Sequence, residues 1–572
     1  MKKTLLLILS LVPVALAAQE GSLGIKANQV GYLPTASKKA VVTTPLADGT
    51  FRVLDAKTGT PAYEGKLSPS FHDKDSGDDV QVADFSPLTL AGTYVLETGG
   101  ERSFPFAIGD DVYRDAYYLA MRSFYGQRCG TDVDLGRRFP GYKFKACHTE
   151  DAAFHRSSGK TGKRKSLRGW HDAGDYGKYI VNSGITTGTL LWAWEWYGDR
   201  LAAIPLDIPE SRNKVPDFLD EVKWNLDWMI TMQDDDGGVW HKLTSERFGG
   251  FTMPEKDDGG PRFIIGTDKE PFKSTGATGD FAAVMACAAR AYAPFSAADS
   301  DVYLQAAKKA FDWCLEHPDV KFGNPSGVRT GGYGDGDLSD EILWAAAELF
   351  RTTGDAKYNR YFLENLPKKR PRIKDDDPQA WPTVLNLALW AYSQSDAKGA
   401  DPGTKKEIVD DTLKAARAII ARHAKNGYHH SMTAKNYIWG SNSVALNYSI
   451  LLLMADRFSP DRALKDAAWD NLHYVLGRNA FAVSWVTHVG TNFFKNPHHR
   501  PSGGDKNPLP WPGLISGGPN AGRQDSAMHK TRGLPPAKAW VDEQASYAGN
   551  ENAINWNAPL VFVLAATLPE QK

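Results

Sequence analysis

The sequence predicts a mainly α protein in which a small all-β domain precedes a large α/α barrel. Short alternating apolar runs separated by Gly, Pro and Asp occupy the chain from about Leu23 to Ile108, a pattern typical of an antiparallel β-sandwich. From about Asp111 onward, apolar residues recur at helical spacing in about a dozen long segments. These segments come in pairs joined by loops, which favours helical hairpins closed into a barrel with the loops at one end.

The elements follow one another in a clear order. The strand pattern is strongest in KAVVTT, FRVLDA, VQVADF and GTYVLET, and the helical pattern runs from VYRDAYYLAMRSFYG to the apolar stretch WNAPLVFVLAATL near the C-terminus. Several connecting loops are long and rich in Gly, Asp, His and Trp, and such loops commonly carry functional residues. The predicted units are a leader, residues 1–17, a β-sandwich, residues 19–109, and a barrel, residues 110–572.

The first twenty residues, MKKTLLLILSLVPVALAAQE, have the pattern of a secretory signal peptide. Two lysines precede an apolar run, and the small-x-small triplet Ala15-Leu16-Ala17 closes it. We expect cleavage after Ala17 and a secreted or periplasmic protein. No stretch reaches the ~18 uninterrupted apolar residues of a membrane span, so membrane association is not expected.

Composition narrows the function classes. The chain has 572 residues, of which 42% are hydrophobic, and its net charge is −1. A chain this close to neutrality has little bulk attraction for polyanions, so nucleic acid is not an expected partner. The 17 Trp and 22 Tyr supply flat apolar faces that can stack on sugar rings, although most such residues belong to a core. We expect a monomer without an organic cofactor.

The loop GWHDAGDYGKYI, residues 169–180, carries a pair of aspartates. Asp172 and Asp175 are three positions apart with only Ala and Gly between them, so one turn can aim both carboxylates into the same space. Two carboxylates held close together raise the proton affinity of at least one. A turn with an Asp cap is the commoner explanation of a bare DxxD. The flanking Trp170, Tyr176 and Tyr179 favour a functional site.

The loop SWVTHVGTNFFKNPHHRPSGGD, residues 484–505, gathers basic residues among prolines. We expect His498 and Arg500 to project to one side of an extended strand, where they form a multi-donor fork for hydroxyls or carboxylates. A surface cluster or a metal site would explain the same residues.

The segment WVDEQASYAGNENAINWNA, residues 540–558, contains Asp542, Glu543 and Glu551 but no basic residue. We therefore expect these acids to be unpaired. Because the apolar run after Glu551 should bury its surroundings, desolvation and repulsion should raise its pKa into the range of a general acid. Hydrolysis of an acetal needs one protonated and one ionised carboxyl group.

The three loops together resemble the signature regions of glycoside hydrolase family 9, the inverting cellulases. The matching positions are Gly490, Asn492, Pro497, His498 and Arg500 in the second loop and Trp540, Asp542, Tyr547, Glu551 and Asn557 in the third. IKANQVGYLP, residues 25–34, resembles the start of the immunoglobulin-like domain that precedes many such catalytic domains. The resemblance implies an (α/α)6 barrel, in agreement with the helix pattern.

The resemblance also implies catalytic roles. Asp175 matches the base that activates water, Asp172 the second carboxylate that holds this water, and Glu551 the general acid. Asp542 is expected to support Glu551, either as a neighbouring negative charge or as a backbone anchor. An inverting reaction requires the carboxyl groups of Asp175 and Glu551 to lie ~6.5–9.5 Å apart.

A second group of residues is expected to bind the sugar. By resemblance, His498 and Arg500 match positions that grip the sugar next to the scissile bond, and Tyr547 lies on the same wall. Trp439, in YIWGSNS, matches an aromatic platform on the floor of the cleft.

The implied activity is that of an inverting endo-β-1,4-glucanase acting on cellulose, related β-glucans or cello-oligosaccharides. Exo-acting cellodextrinases, β-glucosidases and exo-glucosaminidases of the family share every catalytic residue, so they remain open. A non-catalytic carbohydrate-binding protein would need the aromatics but not Asp172, Asp175 and Glu551 together. A zinc hydrolase would need a metal with an open coordination position.

Two thiolates and two imidazoles form a candidate zinc site. Cys129, Cys147, His148 and His171 suffice for a closed tetrahedral structural zinc. From the residues alone, a Cys129–Cys147 disulfide is equally acceptable in an oxidising compartment. The resemblance implies zinc, because similar two-domain members carry it at matching positions. Since His171 adjoins Asp172, the metal would fix the position of the loop of residues 169–180.

The Gly-rich stretch GYGDGDLSDEILW, residues 332–344, is a candidate calcium site. It groups acids at the start of a predicted helix, and hard oxygen ligands at this density suit calcium. Capping by Ser339, with acids favoured by the helix dipole, is the alternative. Family members often hold calcium near this point, which implies Asp337, Asp340 and Glu341 as ligands.

Overall fold

The structure is a computed structural model that describes residues 21–47 and 49–570. The predicted signal peptide and its cleavage point lie outside the described residues. None of the described helices is long and apolar enough to cross a bilayer.

The N-terminal domain is a sandwich of two β-sheets. Its strands are β1 (Ile25–Lys26), β2 (Gly31–Tyr32), β3 (Lys39–Val42), β4 (Thr50–Asp55), β5 (Pro61–Lys66), β6 (Phe71–Asp73), β7 (Asp78–Asp84), β8 (Gly92–Thr98), β9 (Glu101–Arg102) and β10 (Phe106–Ile108). One sheet has the order β1-β3-β7-β6 and the other β2-β10-β8-β4-β5, with β9 paired to β8. Alternate residues such as Phe51, Val53 and Leu96 point into the shared core, which is why these segments alternate apolar and polar residues.

The second domain is built from helices arranged in two layers. They are α1 (Arg114–Gly126), α2 (Ile180–Ala202), α3 (Asp217–Thr231), α4 (Thr275–Tyr292), α5 (Ala297–Glu316), α6 (Ser339–Thr353), α7 (Ala356–Asn365), α8 (Leu385–Ser393), α9 (Pro402–His423), α10 (Ser441–Phe458), α11 (Arg462–Val475), α12 (Arg500–Gly504), α13 (Tyr547–Asn550) and α14 (Ile554–Thr567). Helices α2, α4, α6, α8, α10 and α14 form an inner ring, and each packs against one outer helix, in order α3, α5, α7, α9, α11 and α1. This confirms the predicted (α/α)6 barrel.

The sequence of each helix matches its layer. Inner helices such as α4 and α14 are buried on nearly every side and are mostly apolar, whereas the outer helix α9 buries one face only. Helix α7 was not predicted, because its ten residues bury little beyond Tyr358 and Phe362.

A small sheet at one end of the barrel was also missed. Strands β11 (Val133–Asp134) and β12 (Lys143–Phe144) form a hairpin, and β13 (Ala153–Phe154), β14 (Lys178–Tyr179), β15 (Lys242–Ser245) and β16 (Arg262–Ile265) form a sheet in the order β13-β16-β15-β14. Because β14 directly follows the Asp172–Asp175 turn, its pairing with β15 fixes the end of that loop against the barrel.

The two domains are joined through Gln29 of the sandwich. Its side-chain amide donates to the carbonyl of Ala482 at 2.8 Å, and its side-chain oxygen accepts from the backbone N–H groups of Thr491 and Asn492 at 3.1 and 2.7 Å. The sandwich therefore holds the loop that goes on to His498.

Candidate active site

The three loops singled out in the sequence line one cleft of about 960 Å³. Its walls include the acids Asp172, Asp175 and Glu551, the basic residues His498 and Arg500, and the aromatic rings of Phe248, Tyr333, Trp381, Trp439, Tyr547 and Trp556. The predicted catalytic and sugar-binding residues thus come together in space.

The loops cross at Gly174. Its carbonyl accepts from the backbone N–H of Arg500 at 3.0 Å and from the Arg500 side chain at 2.9 Å, and its own N–H donates to Oε1 of Glu551 at 3.3 Å. A methyl group here would lie 1.9 Å from the His498 carbonyl oxygen. Only glycine allows this close approach.

Asp172 and Asp175 sit in different environments although they share one turn. The Asp172 carboxylate accepts from the Asn182 amide at 2.5 Å and from the Tyr333 hydroxyl at 2.6 Å, and it is 1% exposed. Asp175 accepts from the N–H of Gly177 at 2.9 Å and from the hydroxyl of Tyr179 at 3.1 Å. Burial, together with the charge of Asp175, raises the pKa of Asp172 to about 8.

Tyr333 and Asn182 are site residues that the sequence did not reveal. Tyr333 lies in the stretch that we interpreted as a calcium loop, and its ring packs edge-on against Tyr179 at 4.9 Å between centroids. Asn182 lies in the first turn of α2, ten residues after Asp172. No spacing rule connects an aspartate with a tyrosine 161 positions away.

Glu551 has the properties expected of a proton donor. Burial, followed by the charges of Asp175 and Asp172, raises its pKa well above the usual range of a carboxyl group, while Arg500 opposes this. A parallel bridge between His498 and Glu551, with the His498 N–H donating to the Asn550 carbonyl at 2.9 Å, fixes its backbone.

The expectation that these three acids lack a basic partner is wrong for Glu543, whereas Asp542 and Glu551 form no salt bridge among the described residues. Glu543 forms an ion pair with Lys530, a residue outside the segment. Asp542 accepts from the backbone N–H groups of Lys495 and Asn496 at 2.7 and 2.8 Å and from the Asn550 amide at 3.0 Å. Of the two roles expected for Asp542, these contacts match the backbone anchor.

The two basic residues reach the cleft by different routes. His498 donates from Nδ1 to the Gln544 carbonyl at 2.7 Å, which leaves Nε2 to face the cleft. Arg500 does not continue an extended strand as predicted, because it begins the short helix α12 with Pro501 in the first turn. Among the described residues, its guanidinium donates only to the carbonyls of Gly174 and Gly249.

Trp439 and Tyr547 form an aromatic wall. Their ring centroids are 5.4 Å apart, and the residues are 41% and 38% exposed. Two large exposed rings side by side in a cleft form a contiguous apolar patch, which is typical of a binding surface. The Tyr547 hydroxyl is fixed by the Gln524 carbonyl at 3.1 Å.

The four predicted zinc ligands also cluster. Their ligand atoms all lie within 4.8 Å of one another, with Cys129 Sγ 3.5 Å from His148 Nδ1 and Cys147 Sγ 3.7 Å from His171 Nε2. Zinc–ligand bonds of ~2.0–2.3 Å in a tetrahedron place ligand atoms at such separations. Both cysteines are free thiols, so the alternative disulfide is not formed.

The predicted calcium ligands are only partly assembled. Asp337 accepts from the N–H and hydroxyl of Ser339 at 3.1 and 2.7 Å, which is a capping arrangement. Asp340 accepts from the N–H groups of Val384 and Leu385 at 2.8 and 3.1 Å.

Glu341 faces Asp280 of α4, a residue that the sequence analysis missed. Burial and the neighbouring Asp280 and Asp340 raise the pKa of Glu341 to about 11. Both carboxyl oxygens of Asp280 and Oε2 of Glu341 are buried without a hydrogen-bond partner among the described residues. Buried oxygens of this kind are chemically suited to a hard cation.

Comparison with known proteins identifies the barrel. The family profile described as Glycosyl hydrolase family 9 matches residues 113–564, which is most of the chain. The chain belongs to glycosyl hydrolase family 9. A second profile, the cellulase N-terminal ig-like domain, matches residues 21–103 and identifies the sandwich.

The similar proteins cover nearly the whole chain. Endoglucanase D of Acetivibrio thermocellus is 39% identical over 544 residues, which is 95% of this chain and 83% of that protein. A cellodextrinase of Butyrivibrio fibrisolvens is 35% identical over 559 residues, covering 95% and 99%. The crystal structure of a Zn-binding triple mutant of the family 9 endoglucanase J30 superimposes with a TM-score of 0.86 at 35% identity, covering 94% and 100%.

The cleft presents two kinds of carboxyl group. Burial and the nearby aspartates raise the pKa of Glu551, whereas Asp175, on the neighbouring loop, accepts hydrogen bonds from neutral donors. The four Cys and His side chains would fill a tetrahedral coordination shell if they held a metal ion.

Proposed function

We propose that the protein is an inverting endo-β-1,4-glucanase whose reaction takes place between Glu551 and the Asp172–Asp175 pair. The observation that carries this proposal is the asymmetry of the acids: Glu551 has a strongly raised pKa in a cleft walled by aromatic rings. One protonated and one ionised carboxyl group are the requirement for glycoside hydrolysis. The family and its endoglucanase relatives support the same activity.

Each acid has a defined part in the proposed reaction. Glu551 donates its proton to the glycosidic oxygen as the bond from that oxygen to the anomeric carbon breaks. Asp175 takes a proton from water as the water oxygen bonds to the opposite face of the same carbon. Asp172, held by Asn182 and Tyr333, positions this water. The anomeric configuration is therefore inverted, and no covalent intermediate is formed.

The remaining cleft residues bind the glucan. His498 Nε2 offers an acceptor and the free N–H groups of Arg500 offer donors to sugar hydroxyls, while Trp439 and Tyr547 offer ring faces for stacking. Carbonyl rather than carboxylate partners leave the charge of Arg500 available to substrate.

We assign zinc to Cys129, Cys147, His148 and His171 as a structural metal. It would hold in place the loop that continues from His171 into Asp172.

Calcium is the proposed occupant beside Asp340 and Glu341. The unpartnered carboxyl oxygens of Glu341 and Asp280 support this proposal.

We also propose, from the sequence, that the protein is exported with cleavage after Ala17 and that its domains span residues 19–109 and 110–572.

The decisive experiment separates endo from exo attack. A long soluble β-1,4-glucan is digested while viscosity and reducing ends are followed together. We expect viscosity to collapse before many reducing ends appear, because internal cuts shorten chains fastest. A slow fall in viscosity alongside steady release of small sugars would instead indicate an exo-acting enzyme such as a cellodextrinase.

Matched variants connect this activity to the site. Glu551→Gln should abolish hydrolysis because an amide cannot donate the required proton. Glu543→Gln is the control, because Glu543 lies in the same segment but pairs with Lys530 and does not line the cleft. Unchanged hydrolysis by the Glu551 variant would show that Glu551 is not the proton donor, whereas glucan binding without hydrolysis by the wild-type protein would favour a non-catalytic carbohydrate-binding protein.

A further inference from the structure

We propose that Asp257 is a positioning residue that couples the metal site to substrate binding. It orients the metal ligand His148 and, through the loop of residues 246–260, fixes the side chain of Arg500 at the cleft. This inference rests on the proposed zinc and on the proposed contact of Arg500 with the sugar.

The first link is the hydrogen bond between Asp257 and His148. Nδ1 of His148 faces Cys129 Sγ at 3.5 Å, and Nε2 lies 3.2 Å from Oδ2 of Asp257. With Nδ1 bound to metal, Nε2 must carry the proton, so His148 donates to Asp257. Both side chains are nearly buried, and no Lys or Arg of the described residues forms an ion pair with Asp257. A carboxylate in this position fixes the tautomer and the ring orientation of a metal ligand.

The second link runs from Asp257 to the backbone of the 246–260 loop. Its other oxygen, Oδ1, accepts from the N–H of Gly259 at 3.0 Å. The position that a methyl group would take on Gly249 lies 2.7 Å from the same oxygen and 2.6 Å from Oδ1 of Asp258. The Gly249 backbone therefore packs against both carboxylates, of which only that of Asp257 also contacts His148.

The third link is the contact between Gly249 and Arg500. The Gly249 carbonyl accepts two N–H groups of Arg500, at 3.2 and 3.0 Å. The Arg500 guanidinium also lies near the rings of Phe248 and Phe251, at 5.5 and 5.7 Å. Within the part of the chain that the structure describes, its one other side-chain acceptor is the Gly174 carbonyl.

The same loop also contacts the second basic residue of the cleft. The ring of Phe251 packs edge-on against His498 with centroids 5.0 Å apart, and the Tyr176 hydroxyl donates to the Thr252 carbonyl. Within residues 246–260 the regular structure is limited to the 3-10 turn Pro254–Lys256. Side-chain contacts therefore help to anchor the loop, and Asp257 supplies the one that reaches the metal ligands.

Loss of the Asp257 carboxylate should affect zinc retention and substrate affinity together. His148 would lose its orienting partner, and Gly249 would lose one of the two carboxylates against which it packs. Arg500 would then sample orientations that miss the sugar. Because neither Asp175 nor Glu551 is touched, the loss should appear in KM and in ligand affinity, with kcat changed less than about threefold.

The experiment compares Asp257→Ala and Asp257→Asn with Glu255→Ala, each in the zinc-loaded full chain. Glu255 is an exposed acid of the same loop without a hydrogen bond among the described residues, so it matches the charge change. Zinc release into excess chromophoric chelator is timed. We expect release about 10–100-fold faster for Asp257→Ala and an intermediate rate for Asp257→Asn, whose amide oxygen still accepts from His148. Glu255→Ala should behave as wild type.

The second measurement is the Kd for cellotetraose, with each variant placed in the Glu551→Gln background so that the sugar is not consumed. We expect about tenfold weaker binding for Asp257→Ala and no change for Glu255→Ala. Equal zinc release by Asp257→Ala and wild type, or a chain that binds no zinc, overturns the positioning role. Faster release with an unchanged Kd overturns the coupling.

The parent Glu551→Gln protein keeps this test separate from the proposed function. If the parent fails to bind cellotetraose, the glucanase assignment fails, whereas the zinc-release result still decides the role of Asp257 at the metal site. If Asp257→Ala does not fold, Asp257→Asn supplies the same comparison.

Discussion

Replacing Asp172 by Asn should stabilise the protein, and the gain should grow with pH. In the folded protein, burial and the charge of Asp175 raise the pKa of Asp172 from 3.8 to about 8. Below pH ~3.8 the carboxyl group is protonated in both folded and unfolded states, and ionisation costs the fold nothing. As pH rises, the unfolded chain loses this proton first, so stability is lost progressively until about pH 8.

The size of the effect follows from the pKa difference. At about 1.4 kcal/mol per pKa unit, the cost is about 1.7 kcal/mol at pH 5, about 4 kcal/mol at pH 7 and about 6 kcal/mol above pH 8. We expect about half of these values, because relaxation of nearby dipoles and water penetration reduce the penalty of a buried ion. Asn can keep the Tyr333 contact, and the unpartnered Oδ1 of Asn182 can turn to accept from its amide.

The assay is urea unfolding of the metal-loaded protein at pH 5, 6, 7 and 8, followed by tryptophan fluorescence. The quantity of interest is the difference in unfolding free energy between Asp172→Asn and wild type at each pH. It should increase by about 0.7 kcal/mol per pH unit between pH 5 and 8. A difference that stays flat or decreases over this range would refute the argument that Asp172 is destabilised by its own ionisation.

Most of the fold could be predicted because the apolar patterns of its helices and strands extend over many residues. An inner barrel helix such as α14 is apolar along its whole length, and the strands of the sandwich alternate over six or seven residues. The elements that were missed are short or depend on distant partners. Strand β14 has two residues and pairs with β15, which lies more than sixty positions away.

The site was predictable where chemistry follows local spacing and less so where it depends on tertiary contacts. Asp172, Asp175 and Glu551 stand out because acids among small residues and amides are conspicuous in the sequence. Tyr333 and Asp280 are ordinary in their own segments and gain meaning only from the carboxyl groups they face. The pairing of Glu543 failed as a prediction for the same reason, because Lys530 lies outside the segment that was considered.

Three further outcomes test the proposed chemistry. Asp175→Asn should abolish turnover because an amide cannot take a proton from water, whereas Asp172→Asn should leave a weaker enzyme; equal, small losses of kcat would remove Asp175 from its role. Native mass spectrometry should find one zinc per chain, and Cys147→Ser should lower the thermal midpoint before it changes kcat; a Cys129–Cys147 disulfide in the mature protein would contradict this. The last outcome is stereochemical. Glu551 protonates the leaving oxygen while Asp175 directs water to the opposite face, which requires their carboxyl groups to be ~6.5–9.5 Å apart and so leaves room for that water. Proton NMR should therefore detect the α-anomer first from a β-linked substrate, before mutarotation mixes the signals. If the β-anomer appears first, the reaction proceeds with retention through a covalent intermediate, and Asp175 cannot be the base that activates water.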